Sequence, residues 1–145
     1  MDNHTPVLIA TIAIGLTLAF ALGMVCRRKG ARLVVGGRRP EHLPQGLFFE
    51  PTLLADVTND MVVAQEEIFG PVLSVIRVPD YAAAVTAANQ VRYGLSSSIY
   101  TRDVNIAFRA MRDLGTGIVY INAGTIGAET HLPFGGTRQT GNGHR

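Results

Sequence analysis

Residues 6–26, PVLIATIAIGLTLAFALGMVC, run for 21 positions without a charged side chain. Wound as a helix at about 1.5 Å per residue, such a run reaches about 30 Å, the thickness of a bilayer's hydrocarbon core. Apolar side chains occupy every face, so there is no amphipathic stripe of the kind that packs a helix on a soluble core. Thr11 and Thr17 can bond back to helix carbonyls and cost little. A secretory signal would place positive charge ahead of the run, and Met1-Asp2-Asn3-His4 supplies none. Ala19-Phe20-Ala21 mimics a cleavage site but lies inside the run, and a buried core helix would be broken by polar residues. The segment is expected to cross a membrane. Arg27-Arg28-Lys29, followed by Arg32, Arg38 and Arg39, lies on one side only. The positive-inside bias then makes the chain a single-pass membrane protein with its C-terminal part in the cytoplasm. Thr11, Gly15, Ala19 and Gly23 fall four apart, a small-residue track suited to helix–helix association. Cys26 sits at the interfacial end, either as an inert thiol or as a palmitoylation site.

The rest of the chain is of a different kind. Of 13 Lys and Arg and 11 Asp and Glu, three basic and one acidic group stand in residues 1–29, and the remaining ten of each sign cancel. The basic balance is therefore no binding surface, and nucleic acid is not expected as a partner. Hydrophobic residues at 47% exclude a disordered chain. A single Cys excludes an internal disulfide and any multi-Cys metal site. Short apolar segments then alternate with loops. Residues 31–35 read as a strand ended by Gly36-Gly37, residues 38–45 as a loop, and residues 47–50 and 52–57 as extended around Pro51. Residues 72–78, VLSVIRV, are a β-branched strand. Asp80 caps a helix through Gln90 with the track Val85, Ala88, Val91, which Gly94 ends. Residues 96–101 form a strand that takes in Ser96-Ser97-Ser98. Asp103 caps a second helix, 104–114, with Ile106, Ala107, Ala110 and Met111 on one face, and Gly115 ends it. Residues 118–122 form a further strand. Strand, helix, strand, helix, strand predicts an α/β fold: a partial parallel sheet with flanking helices, preceded by one N-terminal hydrophobic helix. The division is 1–29 for the helix and its basic flank, and 30–145 for the α/β part.

The usual catalytic constellations are absent from the sequence. No G-x-G-x-x-G follows a strand and no phosphate loop exists. His4, His42, His131 and His144 lack metal-ligand spacing. No nucleophile stands out, and no catalytic or metal-binding residue is assigned. Two clusters remain. In Glu66-Glu67-Ile68-Phe69-Gly70-Pro71, a carboxylate before a tight turn can accept from the hydroxyls of a ribose, with an aromatic beside it to lie on a ring. It reads equally as a solvated acidic pair beside a turn. In Leu132-Pro133-Phe134-Gly135-Gly136, Gly-Gly lets the backbone approach a ligand closely. It reads equally as an ordinary turn with a packed aromatic.

Two resemblances bear on these alternatives. His4-Thr5-Pro6 and LIATIAIGLTLAFALGM resemble the first helix of monovalent cation:proton antiporters. One helix lines no ion path, so antiport is not carried over. Residues 30–145 resemble the C-terminal part of an aldehyde dehydrogenase catalytic domain, through GARLVVGG, FFEPTLLADV, EEIFGPVLSV, YGLSSSIYTRD, GIVYINAGTIGAE and HLPFGGTRQTGNGHR. The tail is similar to the subgroup that acts on semialdehydes. The resemblance implies NAD or NADP as cofactor: a thiolate attacks an aldehyde, hydride leaves to nicotinamide, and water hydrolyses the thioester. It implies cofactor-binding roles for Glu67, at the ribose hydroxyls, and Phe69, beside the nicotinamide ribose. It implies a substrate-entrance role for Phe134 and a structural one for Asn122. The family's nucleophilic Cys, general base and nucleotide-binding domain precede EEIFGP and have no counterpart in this sequence. The chain then reads as a junction of two unrelated fragments near residues 26–30, inactive alone, with exposed strand edges and apolar faces. The alternative is a small single-pass membrane protein whose cytoplasmic module binds a partner such as a truncated dehydrogenase.

Overall fold

The computed structural model describes residues 30–43, 45–127 and 131–140. It divides into two compact units, Met1–Arg77 and Val78–Arg145. The predicted membrane span over residues 6–26, with its Thr11, Gly15, Ala19, Gly23 track and Cys26, lies outside the described residues. Among the described residues, no helix is long and apolar enough to cross a membrane.

In the first unit, strand β1 (Arg32–Val35) pairs antiparallel with β2 (Thr52–Ala55), and β2 pairs parallel with β3 (Val72–Ser74), in the order β1-β2-β3. Helix α1 (Val62–Gln65) lies on the β2–β3 crossover. The core sits on one face of this sheet. Leu54 is 1% exposed and packs with Ala31, Val57, Met61 and Val63, while Leu33, Ala64, Ile68, Val72 and Ile76 close over them. Gly36 makes the turn out of β1 possible. Its φ is +75°, and a Cβ there would stand 2.2 Å from Pro51 O. Next to it, Gly37 N–H donates to Thr52 Oγ1 at 2.8 Å, and that hydroxyl donates to Glu50 O at 2.8 Å. The buried hydroxyl is thereby satisfied on both sides.

The second unit holds α2 (Tyr81–Asn89), β4 (Tyr93–Gly94), β5 (Ser96–Ile99), α3 (Val104–Asp113), β6 (Ile118–Ile121) and β7 (Thr137–Arg138). Strands β5 and β6 pair parallel from Ser96↔Ile118 to Ile99↔Ile121, and β4 pairs antiparallel with β7. Both expected N-caps form: Asp80 accepts from Ala83 N–H at 2.8 Å and Asp103 from Asn105 N–H at 2.8 Å. Each carboxylate satisfies a backbone donor that the first helical turn leaves open.

The mixed α/β character holds, but four expectations are corrected. The strands form three small sheets rather than one parallel sheet. A strand–helix–strand pattern states an order along the chain and not which strands pair. Gly94 does not end α2, which closes at Gln90; it is a strand residue that gives its N–H to Thr140 Oγ1 at 2.8 Å. Residues 47–50 form no strand, and the run from 72 is regular only to Ser74. On α3 it is Ala110, fully buried, that faces inward, whereas Met111 is exposed. Residue 111 lies 100° round the helix from residue 110, enough to leave the buried stripe.

Candidate functional site

The loop that joins α1 to β3 is tied at both ends. Glu66 closes α1 by donating its N–H to Val62 O at 2.9 Å. At the other end Val72 N–H donates to Gly70 O at 2.8 Å, a three-residue turn, and Thr52 N–H on β2 donates to Pro71 O at 2.8 Å. Between these ties, Ile68 packs on the core. Its neighbours Glu67 and Phe69 therefore turn outward. Phe69 is 87% exposed and has a φ of +50°. A large side chain in this left-handed region costs about 1–2 kcal/mol. An aromatic held there without burial in return is the kind of strain that collects at binding sites. Among the described residues, no hydrogen bond or ion pair engages the Glu67 carboxylate. Among the described residues both its oxygens are open to accept. The loop thus brings Glu67 and Phe69 together on one short, anchored segment.

Phe134 belongs to the second unit, where it is 51% exposed. The Gly135-Gly136 that follows it is pressed against the start of β6. A Cβ on Gly117 would stand 1.8 Å from Gly135 O, so only glycine lets these backbones meet. The chain beyond is fastened by two side chains. Thr137 Oγ1 donates to Gly115 O at 2.6 Å. Arg138 donates from Nη1 to Val91 O at 2.8 Å and to Asn89 O, and from Nη2 to Gly115 O at 3.1 Å. One guanidinium so gathers the chain ends that follow α2 and α3. The sequence reading passed over Thr137 and Arg138, because a Thr-Arg pair after Gly-Gly carries no signature of which carbonyls it will meet.

Asn122, given only a structural role from the sequence, has one in the structure. Its φ is +53°, a region asparagine tolerates better than most residues. Its Nδ2 donates to Thr101 O at 2.9 Å and its Oδ1 accepts from Thr101 N–H at 2.8 Å. The side-chain amide copies a strand partner and locks the ends of β5 and β6 together. Tyr120 OH then donates to Gly127 O, which holds the loop that leaves β6.

One further polar cluster lies in the second unit. Tyr81 OH donates to Asp113 Oδ2 at 3.0 Å, Arg112 Nε donates to Asp113 Oδ1 at 3.1 Å, and the Arg109 guanidinium lies 4.7 Å from the centre of the Tyr81 ring. The bond from Arg112, then the one from Tyr81, hold the Asp113 carboxyl below its usual range. Loss of water around Tyr81, then its bond to Asp113, push the phenol upward. The Tyr81–Asp113 hydrogen bond and the Arg109–Tyr81 contact join α2 to α3, and the cluster is assigned no chemistry. No group of His, Cys, Asp and Glu able to hold a metal occurs among the described residues.

Comparison with known proteins bears on these loops. Residues 24–145 match the model of the aldehyde dehydrogenase family. The chain is 45% identical over 118 residues to alpha-ketoglutarate semialdehyde dehydrogenase of Haloferax volcanii, covering 80% of this chain and 24% of that protein. It is 48% identical over 115 residues to the NADP(+) succinate-semialdehyde dehydrogenase of Deinococcus radiodurans, covering 79% of this chain and 24% of that protein. The fold is similar to that of a Mycobacterium tuberculosis aldehyde dehydrogenase solved with NAD+, with a TM-score of 0.84 and 40% identity over 90% of this chain and 26% of that one. The chain therefore spans about a quarter of the length of these relatives.

Proposed function

Because this chain belongs to the aldehyde dehydrogenase family, we propose that the Glu67–Phe69 loop supplies one edge of an NAD(P)-dependent aldehyde-oxidising site and that residues 30–145 do not turn over substrate by themselves. The carrying observation is the tied loop that holds the Glu67 carboxylate, which no described residue engages, beside the strained, exposed Phe69. A carboxylate with both oxygens free suits a vicinal diol, which can donate two hydroxyls to it. An exposed aromatic one residue away suits the flat, apolar side of a bound nucleotide. These residues fit a nicotinamide dinucleotide, Glu67 at a ribose and Phe69 alongside. The dinucleotide, when bound, supplies the hydride acceptor. Phe134, in the separate Gly-Gly loop, lines the approach of the aldehyde. Semialdehydes are the proposed substrate class, in keeping with the two relatives named above.

The chemistry that breaks the C–H bond needs a covalent adduct on a thiolate. The chain's one Cys, Cys26, ends the uncharged run ahead of Arg27-Arg28-Lys29. We assign it no nucleophilic role. The test is a chimera in which residues 30–145 replace the matched quarter of the Deinococcus radiodurans enzyme. It should oxidise succinate semialdehyde, and Glu67→Gln should raise the KM for the dinucleotide at least tenfold with a smaller change in kcat. An unchanged KM refutes the assignment.

A second reading, a membrane-tethered module, rests on the 21 uncharged residues followed by Arg27-Arg28-Lys29. It requires the full chain to stay with membranes after alkaline carbonate extraction.

A further inference from the structure

The segment that carries Phe134 is fixed on its C-terminal side. Gly135 O lies so near Gly117 that a Cβ there would stand 1.8 Å away, and a Cβ on Gly136 would stand 2.6 Å from Thr140. Beyond them Thr137 and Arg138 pair with Gly94 and Tyr93 in the β4–β7 ladder. Gln139 N–H donates to Arg92 O at 3.0 Å, and Thr140 Oγ1 accepts from Gly94 N–H at 2.8 Å. On the N-terminal side the apolar side chains Ile126 and Leu132 are exposed. Phe134 thus stands where an open loop passes into a tightly fastened strand. Arg138 makes the longest reach in that fastening. Asn89 already joins the ends of α2 and α3, its Nδ2 donating to Asp113 O at 2.8 Å and its Oδ1 accepting from Gly115 N–H at 2.8 Å. The Arg138 guanidinium lies across this junction and donates to the carbonyls of Asn89, Val91 and Gly115. Carbonyls at a helix C-terminus carry partial negative charge, which favours a cation there. A planar fork meets three of them at once, where an ammonium is a single point. The Arg138 backbone has a φ of +58°, a strained angle for a long side chain, and the bonds made by that side chain hold it there.

We propose that Arg138 is a positioning residue for the aldehyde entrance: it ties the strand behind Phe134 to the ends of α2 and α3, and so holds Phe134 as a fixed wall instead of a moving lid. The proposal rests on Phe134 lining the aldehyde's approach. Arg138 acts only through Phe134. A wall already held in place loses little freedom when a ligand arrives, so releasing it weakens the hold on the semialdehyde. The dinucleotide, assigned to Glu67 and Phe69, should be held as before. Loss of Arg138 therefore raises the KM of one substrate and not of the other.

The chain contains no Trp, so Phe134→Trp places a single indole emitter in the full chain. Its fluorescence anisotropy should fall by at least a third when Arg138→Ala or the milder Arg138→Lys is added; an unchanged anisotropy with both overturns the proposal without any need for turnover. The kinetic arm uses the chimera with the Deinococcus radiodurans enzyme. There Arg138→Ala should raise the KM for succinate semialdehyde at least fivefold, with kcat and the dinucleotide KM within twofold of the parent, and Arg138→Lys should restore less than half of the loss. Phe134→Ala should raise the same KM. Added to Phe134→Ala, Arg138→Ala should change that KM less than twofold while still lowering the urea midpoint. A purely structural role would move the midpoint without this dependence on Phe134. An unchanged semialdehyde KM in Arg138→Ala, an undiminished shift in the Phe134→Ala background, or full restoration by lysine overturns the proposal. A Phe134→Ala variant with the parent's semialdehyde KM removes the reading of Phe134 itself, and the proposal falls with it.

Discussion

Asn122 offers a graded test of how the second unit is held together. Its amide makes two hydrogen bonds to the Thr101 backbone, at 2.8 and 2.9 Å, from a residue with φ +53°. The hydrogen bonds and the backbone angle can be separated by choice of substitution. Asn122→Gly removes both bonds but accepts the angle. Solvent reaches the site, so each bond is taken near the lower half of the usual range, and the pair is worth about 1.5 kcal/mol. Asn122→Ala removes the same bonds and adds the left-handed penalty of a Cβ, about 1 kcal/mol more. Asn122→Asp keeps the acceptor to Thr101 N–H and loses only the donor, for about 0.7 kcal/mol. The stability order should therefore be Asn, Asp, Gly, Ala. Urea unfolding followed by far-UV circular dichroism reads the series through shifts in midpoint at constant slope. A glycine variant less stable than the alanine variant would mean that the backbone angle is not as described. An alanine variant as stable as the parent would remove the clamp altogether.

Gly117→Ala drives a Cβ to 1.8 Å from Gly135 O, with backbone on both sides unable to yield cheaply. It should cost about 1–3 kcal/mol in the same assay, and a loss below 0.5 kcal/mol would deny the close approach of the Phe134 loop to β6. Arg138→Lys should be nearly as damaging as Arg138→Ala, at about 2 kcal/mol, since one ammonium cannot reach the Val91, Asn89 and Gly115 carbonyls at once. Full rescue by lysine would contradict the fork. The folded Asp113 carboxyl titrates below its unfolded value, so its stabilisation is present above the unfolded pKa and is lost as pH falls through the folded one. Tyr81 is raised, so its contribution is present below the unfolded phenol pKa and is lost as pH rises through the folded one. Asp113→Asn should flatten the acid limb of a stability–pH profile and Tyr81→Phe the alkaline limb; parent-like slopes would refute the pairing.

Much of the local structure was legible because each signal was a single-residue device. Asp80 and Asp103 announce helices by capping them, and the β-branched runs at Ile118 and Val72 announce strands. Pairing was less legible. Nothing in VLSVIRV or SSSI tells which strand lies beside which, and so three sheets were read as one. The short α1 was missed because Val62-Val63 favours a strand, and it forms here without a side-chain cap because Val63 is buried in the core. At the loop, the residue types of Glu67 and Phe69 suggested a ribose site only alongside a solvated pair beside a turn. The structure adds the positive φ of Phe69, which is not written in the sequence. The placement of the Phe134 loop is the least visible, since it depends on the backbone contact between Gly117 and Gly135 across 18 positions.

The central proposal is that residues 30–145 hold part of the rim of an oxidising pocket and that Cys26 is not its nucleophile. The direct measurement is dinucleotide reduction at 340 nm by the purified full chain, with NAD+ or NADP+ and succinate semialdehyde or alpha-ketoglutarate semialdehyde. The account predicts no reduction above a protein-free control. Steady reduction that is abolished by alkylation of Cys26 would contradict it.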